Sequence, residues 1–303
     1  MGVDLLASIG IGINPNLINS GGVVLSWHGV FTFIAVAVAV ILVVRWGTRE
    51  GMVADVLYTA AMWCIIGGVI GARLLHVIDY WGEVYSHDFV RVFQVWQGGI
   101  AIFGAISGGF VGGSLYLLTR NSNWFLAVWR PFSPIFGQPQ RAELPSIGHL
   151  ADIAAPALLA AMAIGRIGDI INGEHFAKAT SLPWGFTYTH PDSPAFQLPS
   201  MHPAVAYELL FDLVLLAVLW PLRNRFRPRG MFFALYAASY SIGRFFISFL
   251  RVEQNYYFWG LNEAQVVALI VIIITVPLLI WKAQIVRPTG GTRADRRRSA
   301  QGA

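Results

Sequence analysis

Stretches of about 20 apolar residues recur along the chain, separated by short segments richer in Gly, Pro, Arg and Asn. They run at roughly 23–44, 53–78, 98–118, 149–171, 203–222, 231–250 and 264–283. A helix of about 20 residues crosses the hydrocarbon core of a bilayer, so the pattern predicts seven transmembrane helices. The expected fold class is all-α, a polytopic integral membrane protein. One transmembrane domain is expected over 1–283, followed by a basic, disordered tail over 284–303. Between the spans, the segment 119–148 carries Trp124 and Trp129 and reads as lying along the interface, where indole rings sit at headgroup depth. The segment 172–202 is more polar and reads as an ordered external cap. Met1 to Asn19 has neither a basic start nor a long apolar core, so no signal peptide is expected. No internal repeat of the kind many transporters carry is visible.

Composition sharpens this picture. Of 303 residues, 56% are hydrophobic and 12% charged, with a mean hydropathy of +0.59. Soluble domains carry about 25% charged residues, so no soluble domain is expected. A net charge of +5 suggests a nucleic-acid partner only until the charges are placed. Arg45, Arg49, Arg120, Arg130, Arg141, Arg223, Arg225, Arg227 and Arg229 fall in alternate loops, and Lys282, Arg287, Arg293 and Arg296–Arg298 fall in the tail. The other loops hold only Arg91, Lys178 and Arg251. That asymmetry predicts an external N-terminus and a cytoplasmic C-terminus, and no nucleic-acid partner. The basic tail serves topology and weak contact with anionic lipid. Cys64, the one cysteine, lies mid-span and reads as packing rather than nucleophile.

Three arginines stand inside the apolar stretches: Arg73, Arg166 and Arg244. A guanidinium at the bilayer centre costs roughly 2.5–3.5 kcal/mol on insertion scales, so each needs a protected site and something anionic to hold. Arg166 belongs to Gly165-Arg166-Ile167-Gly168-Asp169, which runs on into Asn172, Glu174 and His175. On a helix Arg166 and Asp169 share a face, and a structural ion pair is one reading of them. The cluster beyond them offers more hydrogen-bonding capacity than a helix end requires. Tyr240 and Arg244 also share a face. Tyr240 reads either as a cap on Arg244 or as part of a site in which Arg166 and Arg244 clamp a phosphate, which guanidinium binds bidentately. The third span holds Gly98, Gly99, Gly104, Gly108 and Gly109. These suit either close helix packing or a backbone that a lipid headgroup can approach. His28, His76 and His202 are weak signals singly. The histidines are scattered without ligand spacing, so no metal is expected, and no cofactor motif is present.

Together these motifs resemble the prolipoprotein diacylglyceryl transferase family along nearly the whole chain. The family signature reads approximately Gly-Arg-x-Gly-Asn-x-x-Asn-x-Glu-x-x-Gly-x-x-Thr, and residues 165–180 follow it with two exceptions. Trp27–Gly29, Gly71–Arg73, Trp96–Gly99, His202–Glu208, Gly243–Arg251 and Gly260–Gln265 match in order. The resemblance implies a seven-helix enzyme of the bacterial plasma membrane with its site open to the bilayer and the periplasmic face. The implied reaction moves the diacylglyceryl group of phosphatidylglycerol to the lipobox cysteine thiol of a prolipoprotein signal peptide, releasing glycerol phosphate. Arg166 and Arg244 are then expected to meet the phosphate's charge. Tyr240, Asn172, Asp169, Gly98, Gly99, Gly104 and Arg73 are expected at the lipid, and Glu174 is expected to orient headgroup or arginines. His202 and Tyr207 are expected to shape the cap.

Several positions depart from the family pattern. Phe103 stands where the family places the histidine generally considered the thiol base. His28 replaces a Tyr, Asp169 an Asn, Ala177 a Gly and Ser248 a Glu. Phenylalanine accepts no proton, so either arginine-assisted ionisation of the thiol suffices or His28, His76 or Asp169 takes over as base. His28 is the expected substitute. Two other readings stand beside the transferase. One is a divergent member that binds lipid or lipoprotein without the reaction. The other is an anion transporter selecting through its arginines.

Overall fold

The computed structural model describes residues 8–20, 23–94, 101–136, 141–252 and 256–286. Short strands β1 (Ser8–Ile11), β2 (Asn16–Ser20) and β3 (Val23–Ser26) lead into helices α1 (Trp27–Arg49) and α2 (Ala54–Asp79). Next come α3 (Ile102–Thr119), the short α4 (Asn123–Trp129) and α5 (Ser133–Phe136), and the long α6 (Ile147–Asn172). Strand β4 (Gly185–Tyr188) precedes α7 (Ala204–Leu219), β5 (Phe226–Arg227), α8 (Met231–Ile247), α9 (Glu263–Lys282) and β6 (Gln284–Ile285).

Helices cover most of the chain, and among the described residues six stretches are long and apolar enough to cross a membrane. They are Trp27–Arg49, Ala54–Asp79, Ile147–Asn172, Ala204–Leu222, Met231–Leu250 and Glu263–Lys282. This is a multi-pass membrane protein. The remaining expected span, 98–118, corresponds to α3, whose apolar stretch Phe103–Thr119 is shorter than the other six. Its expected start, including Gly98 and Gly99, lies outside the described residues. The strands go beyond the all-helical expectation but are only two to five residues long. Strand β1 pairs in parallel with β4, tying the segment before the first helix to the expected cap. Strand β5 pairs with β6, so residues 284–285 of the expected tail join the folded part, whereas 287–303 lie outside the described residues.

The chain divides into two compact units. One is the described part of Met1–Ala39 and Ala154–Ala303, and the other is that of Val40–Ile153. In the second unit α2 and α3 pack through glycines. A methyl group added to Gly108 would run into the backbone of Gly67 and Gly71, and one added to Gly104 would run into Gly71. Small residues let helix backbones approach where lipid offers no hydrophobic drive for association. Gly104 and Gly108 of the third span thus serve close helix packing. Gly108→Leu is expected to lower stability by about 1–3 kcal/mol through forced separation of the two helices, measured by denaturation in mixed detergent micelles. Cys64 lies beside Gly113 in the same contact. The segment 119–148 is closed on itself by a reciprocal pair of bonds. Asn121 Nδ2 donates to the Ala142 carbonyl (2.7 Å), and Ala142 N donates back to Asn121 Oδ1 (3.0 Å).

In the first unit a core of Ala155, Leu159, Leu215, Leu219, Phe232 and Tyr236 joins α6, α7 and α8. A second cluster, with Ile11, Ala177, Tyr188 and Met201, lies under the cap. Helix α9 starts at a capping box, Asn262 Oδ1 accepting from Gln265 N (2.9 Å) and Gln265 Oε1 from Asn262 N (3.0 Å). Helix α6 ends at Gly173, whose φ of +73° is a left-handed value that glycine adopts without strain.

Candidate active site

Glycines set the helix spacing that builds the site. At Gly168 an added Cβ would stand 2.9 Å from the Trp27 carbonyl and 3.0 Å from His28 Cα, so α1 and α6 touch backbone to backbone there. That contact brings His28 against the turn of α6 carrying Arg166 and Asp169. At Gly243 the missing side chain makes room for the ring of Phe211, seating α8 on α7 beneath Arg244.

Glu208 is the hub of the site. It sits on α7, a largely apolar helix that also carries Asp212, and its side chain is 4% exposed. Arg166 Nη2 lies 2.6 Å from its Oε2, Arg244 Nη1 donates to its Oε1, and Arg251 Nη1 lies 3.3 Å from the same oxygen. Arg166 and Arg244 therefore converge, and a third guanidinium joins them. Arg251 reaches inward because α8 gives way to a 3-10 turn at Ser248–Leu250 and then to extended backbone. It is buried rather than standing in an outer loop. Tyr240 places its hydroxyl beside the Arg166 guanidinium, so its polar partner includes Arg166, not simply the arginine one turn along its own helix. Asp212, one turn beyond Glu208 on α7, is fully buried, and neither of its oxygens has a hydrogen-bond partner among the described residues.

Asp169 is the second anionic centre. Arg166 Nη1 donates to its Oδ2 (2.9 Å), so the expected i, i+3 pair forms. His28 Nδ1 lies 2.6 Å from Oδ1, and His175 Nε2 lies 3.4 Å from Oδ2. Arg251 Nη2 is 3.1 Å from His175 Nδ1, which accepts from it because guanidinium offers only donors. The ring then presents Nε2–H to Asp169. The two centres are linked twice, through Arg166 and through Arg251–His175.

The cap holds this cluster in place. The Tyr188 hydroxyl on β4 donates to the Ile170 carbonyl (2.8 Å), and burial together with the nearby charge of Asp169 pushes its pKa up to about 12. It stays a donor throughout the physiological range. In the same segment the backbone N of His202 donates to the Lys178 carbonyl (2.9 Å), and the Tyr207 hydroxyl accepts from Trp184 Nε1 (2.8 Å).

The other expected site residues are placed as follows. Asn172 is buried at the end of α6, and Glu174 is half-exposed with Oε1 3.7 Å from His28 Nδ1. Ligand atoms of His28, Asp169 and Glu174 come within 4.8 Å of one another, a convergence that linear spacing gives no reason to expect. Arg73 and Gly104 belong to the other compact unit. Gly104 is taken up by the helix contact with Gly71. Arg73 donates to the carbonyls of Val92 (2.9 Å), Arg91 and Gln94, with Tyr85 under its guanidinium, so it organises the turn after α2. Gly98 and Gly99 are outside the described residues. Sequence reasoning does not place Glu208 and Arg251 in the site, and it names His175 only as part of the polar cluster beyond Asp169. A signal for Glu208 is nevertheless present, because a carboxylate in a largely apolar span is as costly as an arginine there.

A cluster of guanidiniums and carboxylates drawn from α1, α6, α7 and the end of α8 defines the class: a multi-pass membrane protein with a buried network of paired charges. Residues 15–281 match the family model for prolipoprotein diacylglyceryl transferase. The chain belongs to that family. It is 32% identical over 274 residues to the phosphatidylglycerol–prolipoprotein diacylglyceryl transferase of Dehalococcoides mccartyi, covering 90% of this chain and 95% of the relative. The enzyme of the same name from Trichormus variabilis is 33% identical over 277 residues, 88% of this chain and 89% of the relative. Transferase 1 of Streptomyces coelicolor is 36% identical over 247 residues, 79% of this chain and 64% of the relative.

Proposed function

We propose that this protein transfers the diacylglyceryl group of phosphatidylglycerol to the lipobox cysteine of prolipoproteins, the first step of lipoprotein maturation in the bacterial inner membrane. The observation that carries this reading is the meeting of Arg166 and Arg244, from helices distant in sequence, at one buried carboxylate. In this family such an arrangement suits a phosphodiester whose phosphate must leave. The thiolate attacks the glyceryl carbon, the carbon–oxygen bond breaks, and the phosphate keeps the bonding electrons and gains negative charge. Fixed guanidiniums stabilise that charge most in the transition state, which is where stabilisation accelerates the step. Glu208 and Asp169 hold the guanidiniums in position, and each guanidinium carries five N–H donors for carboxylate and phosphate to share. With the N-terminus external, as the arginine distribution indicates, the C-terminal end of α6 and its cap face the periplasm, where the acceptor cysteine arrives.

The test uses purified protein in phosphatidylglycerol-containing micelles with a lipobox peptide. The expected result is a peptide heavier by one diacylglyceryl group with one glycerol phosphate released, and neither product when the peptide's cysteine is replaced by serine. An unmodified peptide would overturn the reading. Retained phosphatidylglycerol binding in that case would mark a lipid-binding family member.

A further inference from the structure

Transfer to a thiol requires that the S–H proton go somewhere, and most of the cluster cannot take it. The guanidiniums are donors only. Both oxygens of Asp169 already face N–H groups, and Glu208, 4% exposed, is ion-paired to three guanidiniums. Both nitrogens of His175 are engaged, one by Arg251 and the other by Asp169. Asp212 is sealed from the surroundings at 0% exposure.

His28 differs from all of these. Its Nδ1 lies 2.6 Å from Asp169 Oδ1, and its side chain is 43% exposed. Asp169 faces N–H donors on all sides and acts as an acceptor, so the short contact places the proton on Nδ1. In the neutral ring that leaves Nε2 as an acceptor lone pair on a side chain that is 43% exposed. A carboxylate fixing Nδ1–H so that Nε2 can take a proton is the logic of catalytic triads. Glu174, half-exposed 3.7 Å from His28 Nδ1, is the remaining carboxylate, and a carboxylate is the weaker base of the two side-chain types.

We infer that His28 is the general base of the transfer and that Asp169 is the residue positioning it, an inference that rests on the transferase reading above. As sulfur attacks the glyceryl carbon, His28 Nε2 takes the thiol proton. The carbon–oxygen bond breaks and its electron pair leaves with the phosphate. The imidazolium then returns its proton to the departing glycerol phosphate or to water. Asp169 faces the positive charge that the ring acquires. It couples the base to the phosphate clamp through Arg166, which holds Asp169 with one wing and Glu208 with the other.

The test compares two acceptors, the lipobox peptide and the same peptide with selenocysteine in place of cysteine. A selenol is ionised at neutral pH and needs no base. With the thiol peptide, His28→Gln and His28→Ala are expected to reduce kcat at least about 100-fold, with KM for phosphatidylglycerol little changed. With the selenol peptide both are expected to run close to the parental rate. Asp169→Asn presents an N–H to Nδ1, reverses the tautomer and blocks Nε2, and it also loosens Arg166, so it is expected to depress both acceptors but the thiol peptide about 100-fold more. A structural role for either residue would depress both acceptors equally, and that result would overturn the inference while leaving the transferase reading intact. So would undiminished thiol transfer in His28→Ala. Activity abolished by chelator and restored by zinc would also overturn it, making His28, Asp169 and Glu174 a metal site. A parental protein inactive on both acceptors would sink the transferase reading and this inference together.

Discussion

Arg166→Lys is expected to lower the rate of diacylglyceryl transfer by about 100- to 1,000-fold, the loss seen when one fixed donor to a developing oxyanion is removed. The charge is unchanged, so the loss comes from shape. The two wings of the Arg166 guanidinium face different carboxylates, Nη1 toward Asp169 at 2.9 Å and Nη2 toward Glu208 at 2.6 Å. Lysine is a point charge on a flexible stem and lacks the planar fork that spans both. The effect should fall mainly on kcat, because the clamp meets a charge that grows as the phosphate leaves. Steady-state transfer to a lipobox peptide at saturating phosphatidylglycerol checks it, and near-parental turnover in Arg166→Lys would refute the clamp.

Glu208→Ala is expected to have the largest effect on stability, about 3–5 kcal/mol, the cost of removing one partner from a buried ion pair and leaving the other uncompensated. Here three guanidiniums lose a common acceptor, and Arg251, 8% exposed, is nearly as buried as the carboxylate itself. Glu208→Gln keeps the volume and one acceptor oxygen and should lose less. Chemical denaturation in detergent, with the half-exposed Glu174→Ala as comparison, gives the ordering. Equal stability of Glu208→Ala and Glu174→Ala would show that the arginines find other acceptors.

Much of this arrangement is legible in the amino-acid sequence itself, and the reasons are physical. Apolar runs long enough to cross a bilayer announce themselves because no soluble helix requires them. Arg166 and Arg244 stand out because charge inside such a run demands a purpose, and Asp169 follows from i, i+3 geometry. Glu208 obeys the same rule, but it sits close to the start of its helix, where a carboxylate reads as belonging to the aqueous end. Arg251 is hidden for another reason. Its position past the end of a span suggests an outer loop, and only the 3-10 turn after α8 sends it back into the protein. Arg73 illustrates the converse, a buried arginine satisfied by backbone carbonyls that linear sequence cannot locate. The three short strand pairs escape because strands of two to five residues leave too little alternation to read. The His28–Asp169 contact spans 141 residues and depends on a glycine in one helix accepting the backbone of another.

The order of these residues along the chain has a consequence for biogenesis. Protein synthesis proceeds at about 5–20 residues per second, so Asp169 follows His28 out of the ribosome by about 7–30 s. During that interval α1 must wait in the bilayer with its histidine able to remain uncharged. Arg166 enters next, carrying Asp169 on the same helix as a built-in counter-ion. Glu208 arrives to find Arg166 in place, and Arg244 and Arg251 arrive to find Glu208. Each guanidinium of the cluster is thus threaded into lipid alongside, or after, the carboxylate that will neutralise it, and the insertion machinery never handles one of them as a bare charge.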